Sequence, residues 1–275
     1  MIYFDKIFRP NKLMHIKSEL KEQSPIIIMA RGHSGTRLLS YVCHHLGIKM
    51  WDDQTRKTGD TNRNFSDTIK KLAKTETYST ANNVFKKNSL IRFQIAAHRY
   101  FKRTAHNSSN WGWKFPETYL IAPIVFNTFP KGKFIHMIRD GRDLAFKEHL
   151  TDDPKRKVGR KILNRVNQLE SPHYLQAAAS WKFQVDSFDN FKEHFSKKQL
   201  LEIYFEDICT KPDKNVNKIS NFLSISSKEQ ATHYLNKNIN LKKVSQYENN
   251  SIVKVREVES LIEETLTRHN YKLLK

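Results

Sequence analysis

Two cysteines in 275 residues, Cys43 and Cys209, are too few for a disulfide framework or a four-thiolate zinc site. Their place beside predicted core positions suggests reduced thiols, and no metal site is read from the sequence. No apolar run approaches the roughly 18 residues of a membrane-spanning helix. The opening stretch MIYFDKIFRPNKLMHIKSELKEQ has neither the apolar core nor the small-residue cleavage site of a secretory signal. A soluble, cytoplasmic chain is therefore expected. Internal repeats and low-complexity tracts are absent, which excludes solenoids and disordered linkers as the main architecture.

Acidic residues are also scarce, at 28 Asp plus Glu against 48 Lys plus Arg. The resulting formal charge of +20 calls for an anionic partner such as a nucleotide, an acidic glycan, an anionic lipid head group or a nucleic acid. What is present is a globular composition: 38% hydrophobic residues, with 17 Phe and 4 Trp, in a chain long enough to bury a sizeable core.

The run Ile26-Ile27-Ile28-Met29 reads as a strand buried on both faces. A short polar loop follows, and from Thr36 the residues Leu38, Leu39, Val42 and Leu46 recur at helical spacing. The same order returns at Phe134–Ile138, with Gly141–Leu150 as the turn into a helix. Pro116 opens a predicted crossover helix over Glu117–Thr128 ahead of it. A further strand is predicted in LLEIYFED, then a helix in PDKNVNKISNFL and an amphipathic C-terminal helix on Val255, Val258, Ile262 and Leu266, expected to cover the sheet. The fold expected is a single α/β domain over 1–275, three-layered, with a central, mainly parallel sheet and helices on both faces. The polar stretches 52–66 and 151–172 read as loops or mobile insertions over the carboxyl ends of the strands, where such folds bind ligands.

A loop between a buried strand and a helix aims unpaired backbone N–H groups at whatever lies over the helix N-terminus. Arg31-Gly32-His33-Ser34-Gly35-Thr36-Arg37 should therefore cradle an anion. Against the nucleoside-triphosphate pattern GxxxxGK[ST], the first Gly falls on Ala30 and the Lys on Thr36, so a kinase or GTPase is disfavoured. The loop instead resembles the 5'-phosphosulfate-binding loop of sulfotransferases that use 3'-phosphoadenosine 5'-phosphosulfate (PAPS), whose core is [KR]-S-G-T-[TR]. Arg139-Asp140-Gly141-Arg142-Asp143, at the end of a predicted strand, resembles the second motif of that family, and a YFED segment at Tyr204–Asp207 resembles its YED element.

The resemblance implies a P-loop-like sulfotransferase fold and transfer of a sulfuryl group from PAPS to a hydroxyl or amine, leaving adenosine 3',5'-bisphosphate (PAP). It implies donor binding by Arg31, Gly32, His33, Ser34, Gly35, Thr36 and Arg37, with Arg139 on the 3'-phosphate. Two positions depart from the family. His33 stands where a catalytic Lys or Arg is usual, and an imidazolium among phosphates would have its charged form favoured. Lys147 stands where the family places a 3'-phosphate Ser, and a lysine can serve there as a point charge. The base for the acceptor's proton is expected at Asp52 or Asp53, directly after a predicted strand Ile48–Trp51, with Asp60 and His98 as weaker candidates. Lys114 is a further candidate for ordering acceptor or phosphosulfate, whereas His44 and His45 read as structural. The acceptor is expected to be anionic, a glycan or other charged metabolite, without dedicated nucleic-acid binding. The alternatives are a non-catalytic nucleic-acid or acidic-polymer binder and a P-loop small-molecule kinase.

Overall fold

The computed structural model describes residues 10–51, 63–77, 85–105 and 110–274. Four parallel strands form the sheet among these residues: β1 (Ile26–Met29), β2 (Gly112–Lys114), β3 (Lys133–Ile138) and β4 (Leu200–Tyr204), in the order β2-β1-β3-β4. Register is set by pairs such as Ile27 with Trp113 and Phe134, and His136 with Glu202. Twelve helices accompany it among the described residues: α1 (Pro10–Glu22), α2 (Thr36–His45), α3 (Arg63–Glu76), α4 (Lys87–Thr104), α5 (Ala122–Thr128), α6 (Gly141–Ala145), α7 (Lys157–Arg165), α8 (His173–Phe191), α9 (Phe205–Thr210), α10 (Pro212–Leu223), α11 (Glu229–Asn238) and α12 (Ile252–Arg268).

Alternation along the strands divides the core into two layers, because successive side chains leave a strand on opposite faces. Ile27, Met29 and Phe134 pack with the aromatic wall of Phe65, Phe93, Tyr100, Trp111, Trp113 and Phe129 under α1, α3, α4 and α5. Ile26, Ile28, Ile135, Met137 and Ile203 face α2, α10 and α11 instead. Every residue of β1 is buried, as the unbroken apolar run predicts. The three-layer parallel α/β fold expected from sequence is thus present. Burial pushes the Cys43 thiol up to about 12, so it is an inert core group.

The structure differs from the sequence reading at several elements. The strand expected at Ile48–Trp51 is a single bridge between Lys49 and Trp111, since β2, three residues long, takes the edge position beside β1. The crossover begins as a 3-10 turn, Pro116–Ile121, before α5. The stretch 151–172, read as loop, contains α7, whose Val158, Ile162 and Leu163 are buried; its amphipathic spacing outweighed the surrounding charge. Residues 63–66 likewise open α3. The C-terminal α12 does not cover the sheet: Val258, Ile262 and Leu266 join Leu144, Ala145, Trp181 and Val185 in a third core between α6, α8 and α12.

That third core fixes the start of α6. A Cβ on Gly141 would come within 2.5 Å of Trp181 Cε3 and 2.7 Å of Ile262 Cδ1. Gly141→Ala should therefore destabilise the fold by about 1–3 kcal/mol through overpacking. Thermal unfolding checks this, and pairing it with Ile262→Val should recover part of the loss.

Candidate active site

The connections at the carboxyl ends of β1 and β3 meet over one cavity of about 680 Å³, walled by Gly32, His33, Gly35, Thr36 and Arg37 on one side and Arg139, Lys147 and Lys243 on another. Its floor opposite includes Lys114, Phe115 and Pro116, and Lys70 reaches over the Phe115 ring at 5.4 Å. Gly35 has φ +91°, the left-handed region where a side chain is strained, and Phe205 occupies the space a Cβ would need. The first N–H groups of α2 consequently point over the loop, an anion site by geometry.

Arg31 does not reach into this cavity. It is buried, with its Nη2 donating to Asp152 Oδ1 at 2.8 Å, and Nη1 to Gly32 O at 3.0 Å. Burial lowers its pKa while Asp152 opposes that shift. Ser34 is buried beneath the loop. His33 stands exposed at φ +68°, its Nε2 3.1 Å from Glu148 O. The sequence reading favoured an imidazolium here. In the protein's own field the sign is reversed, because partial desolvation of the ring, then Arg31, and also Lys147 push His33 down from its ordinary value. An anion in the loop is what would turn that balance round.

Arg139 leaves β3 with Nη2 on Asp143 Oδ2 at 2.9 Å and Nη1 donating to His33 O at 3.0 Å. Nη2 also donates to Lys243 O, and the guanidinium lies over the Phe205 ring, 4.3 Å from its centroid. Lys147 donates to Gln246 Oε1 at 2.7 Å; burial and the charges of Arg139 and Lys243 lower its pKa. The carboxylates of the second motif hold the structure together: Asp143 accepts from Tyr247 N at 2.9 Å, and Asp140 and Glu259 pair with Arg142. In the YFED segment, burial pushes Glu206 up to about 7, with Asp140 N and the Tyr271 hydroxyl donating to it.

Of the weaker candidates, Lys114 lines the cavity, whereas His98 pairs with Glu19 Oε2 at 2.9 Å between α4 and α1 and lies outside it. His44 and His45 pack on Trp51 and Tyr234, as structural residues do. Asp52, Asp53 and Asp60 fall outside the described residues. Sequence reasoning missed Lys243, Asn240, Tyr234, Glu117 and His149, all on the cavity wall. Lys243 follows no motif, and only the local pair Lys242-Lys243 marked it.

A model of the sulfotransferase family matches residues 25–229, which contain both strand-end loops. The chain belongs to the sulfotransferase family. Its curated relatives include a protein-tyrosine sulfotransferase of Drosophila melanogaster, 22% identical over 121 residues, covering 44% of this chain and 22% of that protein. Another is protein-tyrosine sulfotransferase A of Caenorhabditis elegans, 24% identical over 152 residues, with 54% and 37% covered. The matches thus span well under half of those proteins. Among solved structures, the sulfotransferase domain from the curacin biosynthetic pathway superposes with TM-score 0.56 at 14% identity, covering 92% of this chain and 99% of that one. A mouse sulfotransferase complexed with PAP gives TM-score 0.51 at 12% identity, over 92% and 88%. These likenesses show the fold. No helix among the described residues is long and apolar enough to cross a membrane.

The buried Arg31–Asp152 pair ties the family's first loop to the segment beyond the second. Removing one partner of such a pair typically costs about 3–5 kcal/mol, since a bare charge is left buried. Asp152→Ala should show a loss of that size in denaturant unfolding. Burial raises the Asp152 carboxyl, but Arg31, His173 and His149 together outweigh it and hold the group below its ordinary 3.8. Its stabilisation is therefore complete above about pH 4 and lost as pH falls through the lower folded value, and the variant should lack that limb of the acid profile.

Proposed function

We propose that this chain transfers a sulfuryl group from PAPS to a hydroxyl or amine of an anionic acceptor, releasing PAP. The observation that carries the reading is the shared cavity: an α-helix N-terminus with Thr36 and Arg37 at one end, and Arg139, Lys147 and Lys243 together at the other. Two separated cationic poles suit a nucleotide with phosphates at both 5' and 3' positions. His33, Arg37 and Lys114 supply donors for charge developing on the leaving oxygen, and loop backbone N–H groups add to them. Asp52 and Asp53 follow Trp51 in the chain and remain proposed bases for the acceptor's proton.

The acceptor would enter by a second cleft of about 970 Å³ that shares Lys70, Glu117, His149 and Leu150 with the first. Its rim carries Lys74, Lys155, Arg156 and Lys157. Such a field focuses anionic substrates. The name of the curated relatives supports a protein tyrosine hydroxyl as one acceptor; the basic rim would favour one flanked by acidic residues, and a charged glycan is the other class it would take. Transfer to a tyrosine peptide flanked by Glu and Asp should lose apparent affinity steeply between low and moderate salt, and a neutral phenol turned over equally at both would contradict the anionic acceptor.

The donor assignment is tested at the 3' pole. Arg139→Ala would also free the His33 and Lys243 carbonyls, so Lys147→Gln is the cleaner variant. Loss of a charge-assisted contact is worth on the order of 1.5–3 kcal/mol, so it should weaken PAP binding at least about tenfold. Binding of adenosine 5'-phosphate should change little. Calorimetric titration of both nucleotides separates these outcomes, and equal loss of both would remove the assignment.

A further inference from the structure

His149 stands where the two clefts meet, lining both, and it belongs to no motif. A Cβ on Gly32 would lie 2.1 Å from its Nε2, so that nitrogen is against the donor loop. Its ring also meets His33 edge-on, with centroids 5.7 Å apart. The other nitrogen, Nδ1, is 2.9 Å from Thr151 Oγ1 and receives a longer approach, 3.4 Å, from Thr151 N.

The tautomer follows from the single hydroxyl proton of Thr151. Its Oγ1 lies 3.2 Å from the carboxylate Oδ1 of Asp152 and accepts from Gln184 Nε2 at 3.3 Å. Two oxygens that close, one of them ionised, need a proton between them, so the hydroxyl donates to Asp152. Nδ1 then carries hydrogen and donates to Thr151 Oγ1 at 2.9 Å in preference to accepting from Thr151 N at the longer 3.4 Å, which leaves Nε2 with a free lone pair. Arg31 fixes Asp152 from the other side, and Gln184 is held in turn by Ser180. Thus Arg31–Asp152–Thr151 orients His149 much as a carboxylate orients a catalytic imidazole.

We propose that His149 Nε2 is a general base of this sulfotransferase, taking the proton of the acceptor hydroxyl or amine at the junction of the clefts. The proposal rests on the sulfuryl-transfer reading above and assigns the proton to a residue the sequence did not single out. As the acceptor oxygen or nitrogen bonds to sulfur, the bond from sulfur to the bridging oxygen breaks. The electron pair stays on that oxygen, now part of the 5'-phosphate of PAP, and the acceptor's proton passes to Nε2 and then to solvent.

The groups facing His149 set its proton affinity. Burial, with Arg31 and His33, pushes it down to about 3 against the opposing pull of Asp152. Glu117 and Lys70 share the cavity wall, and Glu148 and Lys147 precede it in the chain. His173 faces Asp152 from α8, its Nε2 3.6 Å from Oδ2. A bound phosphosulfate would offset Arg31 and His33, so the neutral imidazole becomes a better proton acceptor with donor in place.

His149→Asn keeps a donor at the place of Nδ1 and removes Nε2. The experiment follows PAP release from PAPS with water, and separately with an acidic tyrosine peptide, as acceptor, alongside calorimetric PAP affinity and imidazole 15N spectra. Wild type should show the Nδ1–H tautomer, titrating upward when PAP and sulfate are added. The variant should lose about 100-fold or more in turnover, in line with the usual contribution of a general base, with PAP affinity within about twofold. Added imidazole should restore part of the rate in the variant, which a structural role would not permit. An Nε2–H tautomer, unchanged turnover, or parallel loss of PAP affinity overturns the role of His149. Failure of wild type to bind PAP or release it from PAPS instead overturns the sulfuryl-transfer reading, and the base assignment with it.

Discussion

Two arginines leave neighbouring parallel strands at the same end of the sheet, and each is neutralised by a carboxylate from the connection after β3: Arg31 by Asp152, Arg139 by Asp143. Both pairs are buried. Without them two guanidiniums would sit unpaired in a low-dielectric crevice, a cost that few core contacts could offset. Because the partners come from one stretch of chain, the loop after β1 and the turn after β3 are held in a common frame. The cavity, the left-handed Gly35 and the cluster of Lys147 with Lys243 all hang from that frame.

Strands β1, β3 and β4 were legible in the residues, whereas the short edge strand β2 was not. Ile26–Met29 is apolar without alternation, and Phe134–Ile138 is so apart from His136, a pattern with few readings other than a doubly covered strand. Helix α10 begins at Pro212 and ends at Leu223, as its proline start and apolar spacing indicate. Legibility failed where tertiary contact overrides local composition. Helix α7 is rich in Lys and Arg, yet three apolar residues on one side suffice to dock it. At Ile48–Trp51 apolar residues suggest a strand, but there the sheet offers only one bridge.

The same division applies to the site. Glycine spacing and strand-end arginines are short-range signals, so both loops could be placed from sequence, and the family match covers them. What those signals do not reveal is the direction in which a side chain leaves the backbone. Arg31 and Arg37 flank the same loop, yet one turns into a buried ion pair and the other lines the cavity. Lys243 and Tyr234 arrive from more than 90 residues beyond Arg139, through packing that no local pattern records.

The polar strap at 240–249 is held by residues of the turn after β3. Arg139 grips the Lys243 carbonyl, Lys147 the Gln246 amide, Asp143 the Tyr247 N–H, and Arg142 stacks on the Tyr247 ring. Arg139 and Lys147 are thus already engaged with a peptide oxygen and an amide of the strap. An incoming phosphate would exchange with those partners rather than add to them. An anion bound there would therefore act on a segment whose near end joins α11 and whose far end joins α12.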